Sequence, residues 1–482
     1  MQIQTPNWVK HAVFYQIFPD RFARTTRTTL PPDMQVPLEP WDAPPTPQGY
    51  KGGDLWGVAE QLDYLQDLGI TAIYFTPIFR SASNHRYHTQ DYYQVDPLLG
   101  GNDAFFDFLS AAHQRNMKVV LDGVFNHASR GFFYFNDILE NGPYSPWLNW
   151  FNVEDWPLSA YDGSKPANYE SWYNNRALPE FNHDNPQVRE YIMQIAEYWI
   201  EQGIDGWRLD VPFDITADGF WAEFRQRVKA INPEAYIVGE IWTNARQWLA
   251  GDQFDGVMNY LFTGPAIAFT AKDRVVMPLV QNPSYFPYPA LDAKGYAQKI
   301  DDLLNLYDWE IQQTQLNLLS SHDIARILSV VSEDISSVEL STLLLLTFPG
   351  APSIYYGDEV GLAGKMDPDC RRTFPQKSDW HQELLKKHKA LIALRHAYPA
   401  LRIGQYQTLA AEGDCYVFAR ILENEMVVVA VNTGEAAVQV RLADMAVKNG
   451  EVLYGSGKVE WLGDRTAMLE IPARAGIILG SK

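Results

Sequence analysis

Up to Pro399, short apolar runs alternate with longer stretches whose apolar residues recur at helical spacing. The short runs are rich in β-branched and aromatic residues. They stand at Val13–Phe18, Ala72–Thr76, Lys118–Asp122, Gly206–Asp210, Tyr236–Glu240, Gly256–Tyr260, Leu316–Ser320 and Ser353–Tyr356. Helical patterns lie between them, at Val58–Leu68, Ala104–Arg115, Val188–Glu201, Phe220–Ala230 and Val338–Phe348. Strands separated by helices pair in parallel, and parallel strands buried on both faces read as continuous apolar runs. Eight such units predict an α/β fold, a (β/α)8 TIM barrel.

Two stretches break the rhythm. Residues 128–186, after the third strand, are rich in Trp, Tyr, Asn, Pro and Gly and read as an inserted, loop-rich subdomain. Thr25–Tyr50, after the first strand, is Pro/Thr-rich and irregular. Beyond Pro399 the runs shorten and alternate, at Tyr416–Ile421, Met426–Asn432, Ala437–Arg441, Thr466–Ile471 and Gly476–Leu479. These predict a C-terminal antiparallel β-sandwich. The expected division is a barrel over 1–127 and 187–399, the insertion over 128–186, and the sandwich over 400–482.

Composition narrows the function classes. The 482 residues are too many for one ordinary core, and 46% hydrophobic with 20% charged is a globular balance. With 39 basic and 59 acidic residues the net charge is −20, which disfavours nucleic acid, anionic membranes and polyanionic substrates. A neutral substrate fits. The 15 Trp and 26 Tyr are mostly core, but a surplus of them also suits sugars, whose C–H faces lie on aromatic rings. Two cysteines, Cys370 and Cys415, make neither a disulfide framework nor a metal motif. The first residues lack the pattern of a signal peptide, and no apolar run is long enough to span a membrane, Leu343–Phe348 reading as a short buried helix. A cytoplasmic location is therefore expected.

In a parallel barrel the reactive groups gather at the C-terminal ends of the strands. Strand three ends in Asp122-Gly-Val-Phe-Asn126-His127, strand four in Arg208-Leu-Asp210, strand five in Gly239-Glu240, and strand seven in Ser321-His322-Asp323. A lone Asp at a strand end is more often a helix cap. Four carboxylates, two His, an Asn and an Arg at one rim are harder to explain structurally, since each costs free energy to bury. Period two puts Arg208 and Asp210 on one face, where the guanidinium should keep Asp210 ionised. Glu240, near a second carboxylate and behind Ile237, Val238 and Ile241, should be pushed up as a general acid requires. Such a pair is the equipment for glycoside hydrolysis, and neighbouring strand ends imply the closer spacing of a retaining pair.

The segments DGVFNH (122–127), GWRLDV (206–211), GEIW (239–242) and SSHD (320–323) resemble the four catalytic segments of the α-amylase family of glycoside hydrolases. VFYQIFPDRF, GGDLWGV, NHRYHTQDYYQVDP, LPEFNHDNP, GDQFDGVMNY and YYGDEVGLAGKMDPDCRR resemble the neopullulanase, cyclomaltodextrinase and maltogenic amylase group within it. The resemblance implies a retaining hydrolase of α-1,4-glucosidic bonds, with Asp210 as nucleophile, Glu240 as acid/base and Asp323 as stabiliser of the transition state. It implies that His127 and His322 bond the same sugar, that Tyr87 is its platform, and that Arg208 orients Asp210. Asp122 and Asn126 then hold the loop, Asp367 and Arg371 match a −2 subsite pair, and Trp242 is a +1/+2 wall. The same scaffold could serve a transglycosylase or a non-catalytic glucan-binding barrel.

Three features depart from that group. It carries an N-terminal β-domain that forms its dimer; here the first barrel strand starts near residue 13, so a monomer with a more open cleft is expected. Its calcium loop is replaced by Ala-Arg-Thr-Thr-Arg-Thr (23–28), with only Gly53 and Asp54 kept, and calcium needs six to eight oxygens. No metal is expected there and no cofactor is required, while calcium elsewhere, near Asn126 for example, stays open. Val-Pro-Phe-Asp (211–214) follows the nucleophile position, so Phe213 should make the +1 side more apolar.

Overall fold

A computed structural model describes residues 3–30, 34–281, 288–443, 450–463 and 465–481. Eight parallel strands run Phe14–Ile17, Ala72–Phe75, Lys118–Gly123, Gly206–Leu209, Tyr236–Gly239, Gly256–Val257, Leu316–Leu318 and Ala351–Tyr355. Consecutive strands pair in chain order except six and seven, and the eighth pairs with the first through Phe14↔Ser353. A parallel bridge between Met258 and Leu316 closes the circle between strands six and seven.

Side chains reinforce that last junction, because strand six has only two residues. Asn259 Nδ2 donates to Asn317 Oδ1 at 2.7 Å, Gln315 Oε1 accepts Val257 N–H at 3.1 Å, and Thr314 Oγ1 donates to the Asp255 carbonyl at 2.6 Å. The sequence pattern carried this strand on to Tyr260. That residue instead opens the helix Tyr260–Ala271.

Alternation sorts the strand residues into two apolar clusters. Phe14, Ala72, Tyr74, Val120, Tyr236, Val238 and Leu316 fill the barrel. Tyr15, Ile73, Val119, Trp207 and Ile237 point outward to the helices. Gly101–Gln114 buries Ala104, Phe105, Phe108, Leu109 and Ala112 as one stripe against that layer. Pro186–Glu201 starts where Asn185 accepts the Gln187 N–H and Pro186 takes the first position, which needs no donor. Ile335–Thr347 is buried almost all round because it lies between the barrel and the C-terminal strand Ala475–Ser481.

Two features lie outside the regular alternation. A hairpin of Phe79–Ser81 and Thr89–Val95 follows strand two. The segment after strand three holds one helix, Phe133–Asn141, short 3₁₀ turns and isolated bridges, among them His127↔Glu180 and Phe151↔Phe181. After the helices Gln382–Ala397 and Pro399–Ile403 the chain forms two antiparallel sheets. One runs in the order Gln405–Glu412, Cys415–Leu422, Glu425–Asn432, Ala475–Ser481, Glu451–Tyr454; the other in the order Val438–Leu442, Thr466–Ile471, Lys458–Gly463. Val417, Val428, Leu442, Leu469 and Ile477 pack between them. Among the described residues, no helix is long and apolar enough to cross a membrane.

Candidate active site

Strand register puts Gln16 beside Tyr74 and Asp122 beside Arg208, all inward-facing near the C-terminal rim. Arg208 is fully buried. Its Nη1 donates to Asp122 Oδ1 at 2.9 Å and to Asp210 Oδ1 at 2.8 Å. Its Nη2 lies 3.0 Å from Glu240 Oε2 and 3.9 Å from Asp323 Oδ2. One guanidinium thus meets all four carboxyls that the sequence placed at the strand ends. Asp210 and Glu240 lie against its two terminal nitrogens.

Above them opens a cavity of about 610 Å³. Asp210, Glu240 and Asp323 all face it. Pro47 and Gln48 of the irregular first loop, and Asn84, His85, Tyr87 and His88 of the hairpin, form one flank. Trp172, Asn175 and Leu178 of the inserted segment form another, and Asp367 and Arg371 close it beyond strand eight.

Each carboxyl is held by named donors. Asp122 Oδ2 accepts from Tyr87 at 2.9 Å and from Tyr74 at 3.2 Å. Glu240 Oε2 accepts the Val211 N–H at 3.1 Å, and Oε1 accepts Trp242 Nε1–H at 3.0 Å. Val211 reaches Glu240 from a left-handed conformation, φ 36° and ψ 50°, which is strained for a β-branched residue. Asp323 Oδ2 is buried with no hydrogen-bond partner among the described residues.

The imidazoles divide into one engaged and one waiting. His322 has Nδ1 2.8 Å from Gln16 Nε2, and Nε2 against the Tyr87 hydroxyl and 3.3 Å from Asp323 Oδ1. Its ring is parallel to that of Tyr87, 5° between planes. His127 is buried and stacks on Trp172 at 5.2 Å, and neither ring nitrogen has a hydrogen-bond partner among the described residues. Two free polar atoms at a cavity wall are placed for hydroxyl groups.

Burial dominates the electrostatics. It pushes Asp122 up to about 6 and Asp323 to about 7, with Glu240 adding to the rise of Asp323 and Arg208 opposing both. Asp210 is raised too, by burial first, against the pull of Arg208. Arg208 favours the ionised form of Asp210, as expected, but desolvation outweighs it. Asp122, Asp210 and Asp323, gathered around one cation, hold their protons in common. Burial lowers His127 to about 3 and His322 well below its ordinary value, so both rings are neutral.

Known proteins resemble this chain in sequence and in fold. The profile of the α-amylase catalytic domain matches residues 16–390, and that of the α-amylase C-terminal domain matches 404–479. The chain belongs to the α-amylase family of glycoside hydrolases.

Within the family, a cyclomaltodextrinase of Geobacillus thermopakistaniensis is 41% identical, over 91% of this chain and 71% of the relative. Neopullulanase 2 of Thermoactinomyces vulgaris is 41% identical over 89% of this chain and 70% of its own length. The crystal structure of a debranching enzyme from Nostoc punctiforme is 64% identical, covers 100% of both chains, and superposes with a TM-score of 0.93.

In this α-amylase family member the first loop is held by side-chain contacts. Asp54 Oδ1 accepts the Gly57 N–H as a helix cap, Oδ2 accepts the Thr25 N–H, and the Arg27 guanidinium lies 3.8 Å over Trp56. Among the described residues, no group of three His, Cys, Asp or Glu is arranged to hold a metal.

Of the residues singled out in the sequence, Asp210, Glu240, Asp323, Tyr87, His127, Asp367 and Arg371 line the cavity. Arg208 and His322 are buried directly behind them. Asp367 pairs with Arg371 at 3.0 Å. Phe213 and Trp242 do not line it: Phe213 is 38% exposed on the 3₁₀ turn Pro212–Asp214, and the Trp242 ring lies on Tyr260. Asn126 ties strand three to the end of the insertion, its Nδ2 3.3 Å from Glu180 Oε1. Sequence reading missed Gln16 and Tyr74, whose signal is a polar group at an inward position of an apolar strand. It also missed Trp172 and His85, which stand in irregular chain with no periodic signal.

Proposed function

We propose that this protein hydrolyses α-glucosidic bonds in starch-like glucans by double displacement, with Asp210 as nucleophile and Glu240 as acid/base. The convergence of both carboxyls on Arg208, at the floor of one cavity, carries the reading. Asp210 attacks the anomeric carbon as Glu240 gives its proton to the departing glycosidic oxygen, leaving a β-glucosyl ester. Glu240, now a carboxylate, takes a proton from water; the oxygen of that water attacks the same carbon and frees Asp210. Two inversions give net retention. Asp323, with one oxygen unpartnered, is placed to bond two hydroxyls of the reacting sugar. His127 is a neutral hydrogen-bonding group for the same ring, with Tyr87 as its platform, and His322 would join it by exchanging its Nε2 contact with Tyr87 for a sugar hydroxyl. Arg371 and Asp367 would hold the preceding glucose. Phe213 lies on the acceptor side, outside the enclosed cavity.

Glu240→Gln should lower turnover of maltotriose or soluble starch by more than about 10³-fold, since it disables both proton transfers. Proton NMR of the wild-type reaction should show the α-anomer first. An unchanged rate in the variant, or initial release of the β-anomer, would sink this mechanism.

The α-1,6 bond deserves equal trial with α-1,4. The support is the 64% identity to a debranching enzyme over the whole chain. Parallel rates on pullulan, a branched limit dextrin, cyclodextrin and maltotriose test it; inertness toward every α-1,6 bond would restrict the enzyme to α-1,4.

A further inference from the structure

The Trp242 ring, expected as a wall of the cleft, is also packed on one face. The indole lies flat on the phenol of Tyr260, centroids 3.9 Å apart and planes 11° from parallel. Tyr260 is fully buried, and its hydroxyl is 3.0 Å from Ser321 Oγ. That oxygen accepts the N–H of Asp323 at 3.2 Å. A continuous chain of contacts therefore runs from Glu240, after strand five, across the end of strand six, to the loop of Asp323 after strand seven.

We propose that Trp242 is a positioning residue for Glu240, and that Tyr260 and Ser321 keep its indole in register with Asp323. The proposal rests on the acid/base reading of Glu240 given above. A group that gives a proton in one step and takes one in the next needs a fixed orientation in both forms. Glu240 Oε2 is engaged by Val211 N–H and Arg208; Oε1 is held by the indole. An indole N–H only donates, so it favours the carboxylate that must activate water. Flat stacking on a buried phenol fixes the plane of the indole and hence the line of its N–H. The charged groups facing Glu240 are Arg208, Asp210, Asp122, Asp323 and, further out, Asp214. A change at position 242 alters none of them.

The test uses Trp242→Phe, and a second variant with L-3-benzothienylalanine at 242. The latter keeps the ring shape and replaces the N–H by sulfur, so a folding defect in the first does not decide the matter. Steady-state rates on soluble starch are read across pH. Loss of one donor to a charged group should lower kcat about tenfold, with KM unchanged to within about twofold. The alkaline limb of kcat should move to higher pH, because the carboxylate loses support that the acid form does not need. A raised KM with an unmoved limb overturns the proposal and assigns Trp242 to sugar stacking. An unaltered rate in the benzothienyl variant overturns it as well. If the wild type cleaves no glucan, the acid/base reading falls first, and that result is separate from either.

Discussion

Arg208 carries one positive charge and lies within ion-pair distance of four carboxyls. At this scale, desolvation and pairing decide chemistry, and the same competition is visible at Glu359. This carboxyl is fully buried beside strand eight, accepting from Tyr15 at 2.8 Å, Tyr64 at 2.6 Å and the Gly357 N–H at 2.9 Å. Burial raises it from its ordinary 4.5 to about 7. Between those values the folded protein keeps a proton that the unfolded chain releases, so this group's contribution to stability falls as pH rises through the window and is flat above it. Glu359→Gln removes the titration at constant size: its amide oxygen can accept from Tyr15 and Tyr64, and only the Gly357 N–H loses its acceptor. Thermal melts from pH 5 to 8 should show a shallower loss of Tm for the variant than for wild type; parallel curves would contradict this. The four carboxyls and Arg208 were legible in the sequence because a charged residue closing an apolar run is costly without a purpose. The left-handed Val211 was not, since that conformation is ordinarily the mark of Gly or Asn.

Among the elements, the eight strands could be read because each is a compact apolar run, and errors cluster where other forces set the boundary. Strand six stops at Val257 because Tyr260 is already committed to a helix. In the C-terminal domain, Gln405–Glu412, Glu451–Tyr454 and Lys458–Gly463 went unpredicted; they are edge strands in which no residue is fully buried, so the apolar signal is weak. The junction of strands six and seven shows what replaces a full backbone ladder. Asn317 accepts from Asn259 and donates to the Pro349 carbonyl at 2.7 Å, all of it buried. Asn317→Leu matches it in size and leaves both partners unsatisfied. Chemical denaturation should show a loss of about 2–4 kcal/mol. A loss near zero would mean that the Met258–Leu316 bridge suffices to close the barrel.

Over the whole molecule, two buried arginines tie the barrel to the helix Pro399–Ile403 and to the sandwich without any carboxylate. Arg395 donates to the carbonyls of Leu346, Phe348 and Leu401, and Arg420 to those of Thr347, Leu401 and Gly404. Each helix that ends there presents the negative end of its dipole, which a cation complements. The net charge of −20 is a second molecular property, and a neutral glucan does not respond to it. The crowd of acids around Arg208 has a sharper consequence. A ring in which a protonated nitrogen replaces carbon or oxygen meets an uncompensated well of negative potential, set inside an acidic molecule that draws it in from a distance. Such an alkaloid-like sugar should be captured far better than its neutral twin. Calorimetric titration should find the advantage growing as the acids shed protons, up to the point where the amine sheds its own, and shrinking as added electrolyte shields the approach.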